Sequence, residues 1–321
     1  MHARSSRMLC YIAAFALALT SLTALAAPQA YPDKVVTIVV PFSPGGGTDT
    51  LARIVAKQLS KKWNHPVIVE DKPGAGGLIG AAYAGKQAPD GYTLLMSSTG
   101  SLTPENTHQF TAIGLVSASP YVVVVHPSVS AHNIKELVAL AKSEPGKLAY
   151  GSNSGSSISH LSVELFKEVT QTNILFVGYK STGQALTDLL GGRIQIMFSP
   201  PETVMPHVKS GQLRALAMTG AKPSKLLPGL PAVTDAGVPG YVAEGWFGLL
   251  APTGTPKAII SKINADLNAI LVLPEVKANL AKFGVQPRLT TPEQFTSYIA
   301  EEMDKWQKVI KKAHIVVPHL H

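Results

Sequence analysis

The hydrophobic positions of the chain fall into short runs separated by longer amphipathic stretches. The runs have the length of buried strands, and the stretches between them repeat apolar residues with helical spacing. The predicted strands are Val35–Val40, Val67–Glu70, Tyr92–Ser97, Tyr121–Val125, Leu148–Tyr150, Ile174–Val177, Ile194–Phe198, Leu213–Met218 and Trp246–Leu250. The predicted helices are Thr50–Lys62, Leu78–Lys86, Asn133–Ser143, Ser157–Thr170, Gln184–Leu190, Val204–Lys209, Pro256–Leu271, Glu275–Phe283 and Pro292–Ala313. This alternation predicts an α/β fold with parallel sheets covered by helices, and the length favours two such sheets.

Two glycine-rich loops follow the first two predicted strands. Their sequences are Pro44-Gly45-Gly46-Gly47-Thr48-Asp49 and Pro73-Gly74-Ala75-Gly76-Gly77. Successive glycines leave backbone N–H groups open to a ligand, and the helix after the first loop, with Thr48 or Asp49 as its N-cap, directs its positive end to the same place. The apolar face of that helix would carry Leu51, Ile54, Val55 and Leu59. The pattern predicts a site for a small anion, with a tight turn as the alternative interpretation.

Neither glycine loop matches a nucleotide-binding motif. A Walker A loop ends in Gly-Lys-Ser/Thr, but Gly47 is followed by Thr48 and Asp49, so the phosphate-binding lysine is missing. In the second loop, Ile79 occupies the third glycine position of a dinucleotide fingerprint. We therefore expect a carboxylate rather than a polyphosphate, and no cofactor.

A serine-rich loop, Gly151 to His160, follows the predicted strand Leu148–Tyr150 and opens a helix. Its hydroxyls and helix-start N–H groups predict a second anion cradle. The loop resembles a serine-hydrolase elbow in its glycine spacing, but Asn153 stands where the nucleophile would be. His160 lies one turn into the helix, where a structural hydrogen-bonding role is more common than that of a general base.

Composition narrows the classes of function further. Lysine and arginine residues are scattered, without a long basic run, which argues against nucleic-acid binding, and the mildly positive net charge of +8 suits an anionic solute. Histidines show no spacing that would assemble a metal site on a helix. Charged residues make up 15% and hydrophobic residues 45% of the chain, as in a globular protein.

The first 26 residues read as a secretory signal peptide. Arg4 and Arg7 precede an apolar stretch that ends in Ala24-Leu25-Ala26, which fits cleavage before Ala27. Cleavage would remove Cys10, the single cysteine, and lower the formal charge from +8 to +6. We therefore expect a periplasmic or similarly exported protein without thiol chemistry.

Several ordered segments together resemble one known family, the Bug-type solute-binding proteins of tripartite tricarboxylate transporters. The resemblance runs from Tyr31 to about Lys312. The segments that carry it are Val39 to Asp49, Pro73 to Gly77, Pro89 to Leu95, His160-Leu161, Tyr179-Lys180, Leu189 to Gly192, Leu213 to Ala217 and Trp246 to Pro252.

The resemblance implies two Rossmann-like domains, joined by two crossing strands, that close on a small carboxylated solute (a type II periplasmic binding protein). The first domain would comprise residues 27–119 and 219–321, and the second residues 120–218. The ligand-binding residues that it implies are Phe42, Gly45, Gly46, Gly47, Thr48, Asp49, Ser98, Thr99, Ser152, Asn153, Ser156, Ser157, His160, Lys180 and Ser199.

The same resemblance implies a partner and leaves alternatives open. The receptor, expected to be a monomer and not an enzyme, would deliver its solute to a membrane permease or to a sensor protein such as a sensor kinase. A secreted hydrolase or other periplasmic enzyme is the alternative class. Two departures from the family pattern stand out: the segment from Gly100 to Phe110 is short, and Ser199-Pro200 replaces an Asp-Asn pair, which disfavours an amino acid as ligand.

Overall fold

The computed structural model describes residues 31–153, 157–179, 181–224 and 226–315, and from Lys34 onward these residues belong to one compact unit. The predicted signal peptide, Ser156, Lys180 and the side chain of Asn153 lie outside this description. Within the described part of the chain, no helix is both long and apolar enough to cross a membrane.

The described residues form eleven strands and ten α-helices, which alternate along most of the chain. The strands are β1 (Val36–Val40), β2 (Val67–Asp71), β3 (Thr93–Ser98), β4 (Phe110–Pro120), β5 (Val122–Val125), β6 (Ala149–Asn153), β7 (Leu175–Tyr179), β8 (Ile196–Ser199), β9 (Arg214–Met218), β10 (Glu244–Pro252) and β11 (Gln286–Pro287). The helices are α1 (Gly47–Trp63), α2 (Leu78–Gly85), α3 (Pro104–Thr107), α4 (Ile134–Ser143), α5 (Ile158–Thr170), α6 (Thr182–Leu190), α7 (Pro201–Lys209), α8 (Lys257–Leu271), α9 (Pro274–Lys282) and α10 (Pro292–Lys312).

The strands form two sheets, as the alternation predicted. The first has six strands in the order β11-β4-β10-β3-β1-β2, and the second has five in the order β7-β6-β8-β5-β9. In the first sheet, β1 is parallel to both β2 and β3, with Ile38 opposite Val69 and Leu94. In the second sheet, β6 is parallel to β7 and β8. The fold class is therefore confirmed.

The sheets are mixed, however, and the prediction of wholly parallel sheets was wrong. β10 is antiparallel to β3 and β4, and β5 is antiparallel to β8 and β9. The reason is the path of the chain, since β4 continues into β5 and β9 leads on to β10. A chain that leaves one sheet at the carboxyl ends of its strands and enters the other at the same edge must run antiparallel to its new neighbours. Both crossings therefore join the carboxyl edges of the two sheets.

The two crossings are hydrogen-bonded to each other. The backbone N–H of Tyr121 donates to Thr219 Oγ1 at 2.7 Å, and the N–H of Thr219 donates to the carbonyl of Tyr121 at 2.9 Å. These bonds hold the two connecting segments side by side at the place where the chain passes between the sheets.

Each sheet has its own hydrophobic core, and α10 packs against both. Phe295 and Ile299, near the start of α10, belong to the core of the first sheet, whereas Trp306 and Val309, near its end, belong to that of the second. A Cβ on Gly248 of β10 would overlap the ring of Phe295, so the glycine allows α10 to lie directly on the sheet. The long C-terminal helix thus ties the two halves together.

Two details of the element predictions need correction. Strand β4 was not predicted, because its run of apolar and small residues lacks polar alternation; Asn264 Nδ2 donates to the carbonyl of Ile113 in this strand at 2.7 Å. On α5, Leu161 and Phe166 are buried as expected, but Val169, predicted to face inward, is 43% exposed.

Candidate functional site

A cavity of about 670 Å³ lies between the carboxyl edges of the two sheets. We call it the cleft. Phe42, Gly46, Gly47, Thr48, Ser98 and Thr99 line it from the first sheet's side, and Ser157, Ile158, Ser159, Thr182 and Glu202 from the second. Ser119 and Tyr121 at the crossing complete part of the wall. Its position agrees with the general rule that ligands of α/β proteins bind at the carboxyl ends of the strands.

The first glycine loop presents the start of α1 to the cleft. The helix begins at Gly47 with Gly46 as its N-cap, so the prediction of Thr48 or Asp49 as N-cap was wrong, and no described side chain caps this end. Gly46 has a φ of −75°, and the nearest atom to a Cβ built on it would be the Ser43 carbonyl oxygen, 3.5 Å away. The first-turn N–H groups, which have no intrahelical acceptors, are therefore open on the cleft side.

Asp49 stabilises this loop from the side that faces away from the cleft. Its Oδ2 accepts the backbone N–H of Gly45 at 2.8 Å, and its Oδ1 lies 2.7 Å from Arg53 Nε. Asp49 is buried and does not line the cleft. The carboxylate at the first turn thus closes the loop, while Gly46, Gly47 and Thr48 form the wall.

The second glycine loop supports the first. Ala75 and Gly76 line the cleft, both with positive φ. A Cβ on Gly77 would lie 2.9 Å from Ser101 Cβ and 3.0 Å from Phe42 Cζ. The absence of a side chain at Gly77 therefore lets the Phe42 ring, which lines the cleft, pack against this loop.

The serine-rich loop presents the start of α5 from the opposite side. Ser157 is the N-cap of α5, and no described side chain caps that end. Ser159 Oγ lies 2.7 Å from Ser152 Oγ and 3.3 Å from Ser157 Oγ, which makes a short chain of hydroxyls. Ser157 and Ser159 line the cleft, whereas Ser152 lies behind them, 2% exposed. The starts of α1 and α5 therefore face the same cavity, which Thr182 at the start of α6 and Glu202 in the first turn of α7 also line.

His160 lies outside the cleft wall. Its Nδ1 is 2.8 Å from the Tyr150 hydroxyl, which in turn donates to Glu164 Oε1 at 2.5 Å. The His160 ring also packs against Phe176, with ring centroids 4.2 Å apart. Burial lowers the pKa of His160, partly offset by the nearby Glu164 carboxylate. A neutral histidine in this network fits the structural alternative better than a ligand contact.

The remaining predicted residues divide between the wall and its surroundings. Ser98 and Thr99 line the cleft, and Thr99 Oγ1 accepts the backbone N–H of Trp246 at 3.3 Å. Ser199 is fully buried beside Pro200, which does line the cleft. Gly45 lies outside the wall, and the side chains of Asn153, Ser156 and Lys180 are not described.

Sequence reasoning missed several wall residues, among them Ser119, Tyr121 and Glu202. Ser159, which also lines the wall, lies in the serine-rich loop that was predicted as an anion cradle. Glu202 follows two prolines in the first turn of α7 and carries no motif that would mark it.

The electrostatics of the cleft come from the backbone. Glu202 is the one charged side chain among the described residues of the wall; although the residue is exposed, desolvation by the protein around it raises its pKa, partly offset by a hydrogen bond from its own backbone N–H. Positive potential is therefore supplied by the open starts of α1 and α5. In the described part of the chain, no three histidine, cysteine, aspartate or glutamate side chains cluster to hold a metal ion.

Two α/β sheets joined at their carboxyl edges, with a cleft between open helix starts, define the class of the solute-binding proteins. A family model described as "Tripartite tricarboxylate transporter family receptor" matches residues 51–315. The chain belongs to this family of periplasmic solute receptors, and the resemblance to Bug-type proteins is confirmed.

Individual relatives align with this chain over nearly its whole length. Protein BugT of Bordetella pertussis is 35% identical over 318 residues, which cover 96% of this chain and 97% of BugT. A solved R. palustris protein with adipate superimposes with a TM-score of 0.76 at 32% identity, over 89% of this chain and 99% of that one. MatC from Rhodopseudomonas palustris with bound malate gives a TM-score of 0.73 at 28% identity, over 87% of this chain and 100% of MatC.

Proposed function

We propose that this protein captures a small carboxylated solute in the cleft and holds it chiefly through backbone N–H groups and hydroxyls. The observation that carries the proposal is that the starts of α1 and α5 face one cavity in whose described wall no cationic side chain stands. Unpaired N–H groups and the helix dipole favour an anion at such a place. A carboxylate is planar and small enough to lie between the two.

The magnitudes are adequate for a receptor. Each hydrogen bond to a charged group contributes about 1.5–3 kcal/mol net. A few of them, with the helix-end fields, supply roughly the 8 kcal/mol of a micromolar complex after the costs of association. An arginine clamp is therefore not needed.

The relatives support the class of ligand. The R. palustris protein was solved with adipate and MatC with malate, which are both carboxylates. We therefore propose a carboxylate as the class of ligand for this chain, but neither adipate nor malate in particular.

We propose that the receptor acts in the periplasm after removal of residues 1–26 and delivers its solute to the permease of a tripartite tricarboxylate transporter. Family membership supports this partner. Delivery to a sensor protein is the alternative, and uptake assays in a permease-deleted strain distinguish the two. N-terminal sequencing of the exported protein should begin at Ala27.

We also propose that residues 27–119 with 219–321 form one closing domain, and residues 120–218 the other. The crossings at Tyr121 and Thr219 support these boundaries, because each sheet lies wholly on one side of them. Closure would be favoured by contacts made only in the closed state. Small-angle scattering should show a smaller radius of gyration with ligand, and an unchanged radius at saturation would refute the closure.

Calorimetry with a panel of monocarboxylates, dicarboxylates, tricarboxylates, amino acids and neutral sugars tests the main proposal. We expect binding of carboxylates and none of sugars. Recovery of the bound acid unchanged after long incubation would separate a receptor from a hydrolase. Binding of sugars or peptides alone would overturn the proposal.

A further inference from the structure

A second cavity of about 530 Å³ adjoins the cleft, and nothing in the proposed function uses it. We call it the side cavity. Leu78, Thr99, Gly100, Thr103 and Trp246 border both the cleft and the side cavity. The two spaces therefore share a boundary along the start of α2 and the segment after β3.

The wall of the side cavity has a large apolar part, which polar side chains such as Asn106, Gln109 and Gln307 complete. Leu102, Leu161, Met303, Trp306 and Ile310 form much of its wall, contributed by the short segment after β3, by α5 and by α10. Its volume lies within the range typical of small-molecule sites, which are mostly apolar with a few polar groups. A hydrocarbon or aromatic group would be transferred there from water with a favourable free energy.

The charges around the two cavities disfavour a second carboxylate on the ligand. Glu302, 9% exposed, lines the side cavity; its carboxylate accepts Trp306 Nε1–H at 2.8 Å and pairs with Lys305. Glu105 and Lys86 stand at the exposed rim of the side cavity, and Glu202 lines the cleft. A second ligand carboxylate in the side cavity would lose hydration beside its apolar side chains and lie near Glu302, whose partner Lys305 does not line the cavity.

We infer that the solute is a monocarboxylate with an apolar tail: the carboxylate lies between the starts of α1 and α5, and the tail enters the side cavity. This inference rests on the proposed function for the position of the carboxylate. It goes beyond that function by excluding the dicarboxylates as preferred ligands and by assigning a subsite to the tail.

The test compares butyrate, hexanoate and adipate by calorimetry on the exported protein. Hexanoate and adipate share six carbons and differ at one end, a methyl group against a second carboxylate. Each buried methylene strengthens binding about fourfold, so hexanoate should bind roughly tenfold or more tightly than butyrate. Adipate should bind at least several times more weakly than hexanoate.

A substitution that fills the side cavity tests whether the apolar tail of the ligand binds there. Ala82 of α2 lines the side cavity and not the cleft. In Ala82→Phe the gain of hexanoate over butyrate should disappear, while the affinity for butyrate stays within about twofold of the parent, because the cleft is untouched. Ala82→Ser, which adds little volume at the same position, should behave like the parent. If Ala82→Phe does not fold, Gln307→Trp fills the cavity from α10 and gives the same readout.

The outcomes separate the two proposals. Adipate binding as tightly as hexanoate, or a gain for hexanoate that survives in both filled variants, overturns the inference and leaves the carboxylate receptor intact. If none of the three acids nor any other carboxylate binds, the proposed function itself fails and the inference fails with it.

Discussion

The starts of α1 and α5, which both face the cleft, are arranged alike, although their sequences differ. In α1 the N-cap is Gly46, and in α5 it is Ser157. The second residue after the N-cap is Thr48 in α1 and Ser159 in α5, and each brings a hydroxyl to the cleft wall. The third residue is Asp49 in α1 and His160 in α5, and each is buried outside the wall and hydrogen-bonded to neighbouring groups.

The two helix starts differ in the hydrogen-bonding groups that they present to the ligand in addition to this hydroxyl. The glycine loop removes side chains, so that fixed backbone donors meet the ligand. The serine loop adds a chain of hydroxyls, which can donate or accept according to the bound group. We therefore expect the α1 side to fix the carboxylate, and the α5 side to adapt to the solute.

The largest expected effect comes from a side chain placed in the glycine loop. Gly46→Val should abolish detectable binding, because the new side chain enters the space that the carboxylate needs. With φ at −75°, the backbone at Gly46 suits any residue, so the variant should fold with an unchanged melting temperature. Calorimetry measures the loss. Parent-like affinity in the folded variant would show that the carboxylate does not approach here.

The hydroxyls give smaller and comparable effects. Thr48→Val and Ser159→Ala should each weaken binding by about one net hydrogen bond to a charged group, or roughly tenfold. Thr50→Val is the matched control on α1, because Thr50 does not line the cleft, and it should bind like the parent. If only one of these two variants bound more weakly than the parent, the ligand would contact only one of the two helix starts.

The pH dependence of binding should come from Glu202. Because desolvation by the surrounding protein raises the pKa of Glu202, its charge is lost at a higher pH than that of an ordinary glutamate. As the pH falls through this raised pKa, affinity for an acid that stays ionised should rise, since repulsion is relieved. Glu202→Gln should bind at all pH values with the affinity that the parent reaches at low pH. A parallel pH profile in both proteins would contradict the role of Glu202.

The smallest effect concerns stability and not binding. Because burial lowers the folded-state pKa of His160, the neutral ring is favoured in the fold, and its contribution is present above the unfolded pKa of about 6.5. That stability is lost as the pH falls through the folded pKa. In His160→Gln the melting temperature should fall at pH 8 and depend less on pH, while affinity at pH 8 stays close to that of the parent. A large loss of affinity without a loss of stability would instead place His160 at the ligand.

Sequence reasoning located the loops but not the direction of individual side chains. Successive glycines after a buried strand specify an exposed loop, which is why Gly46 and Gly47 were placed in the wall. Asp49 and His160 looked equally suitable in sequence. One further residue along a helix turns the side chain by about 100°, and this rotation separates the second from the third position.

The long-range features could not be read from the sequence. Glu202 reaches the cleft because β8 and its following loop end at the same edge as β6, which is a matter of sheet order. Strand β4 was missed because small residues such as Gly114, which lies against Asn264, replace the usual alternation. The side cavity depends on α10 packing across both cores, and no local pattern encodes that contact.

A crystal structure with bound hexanoate tests the central claim most directly. We predict that the carboxylate oxygens lie within hydrogen-bonding distance of the first-turn N–H groups of α1 and of the Ser159 hydroxyl, with no arginine in contact. A carboxylate held by an arginine side chain, or found away from the starts of α1 and α5, would contradict the account.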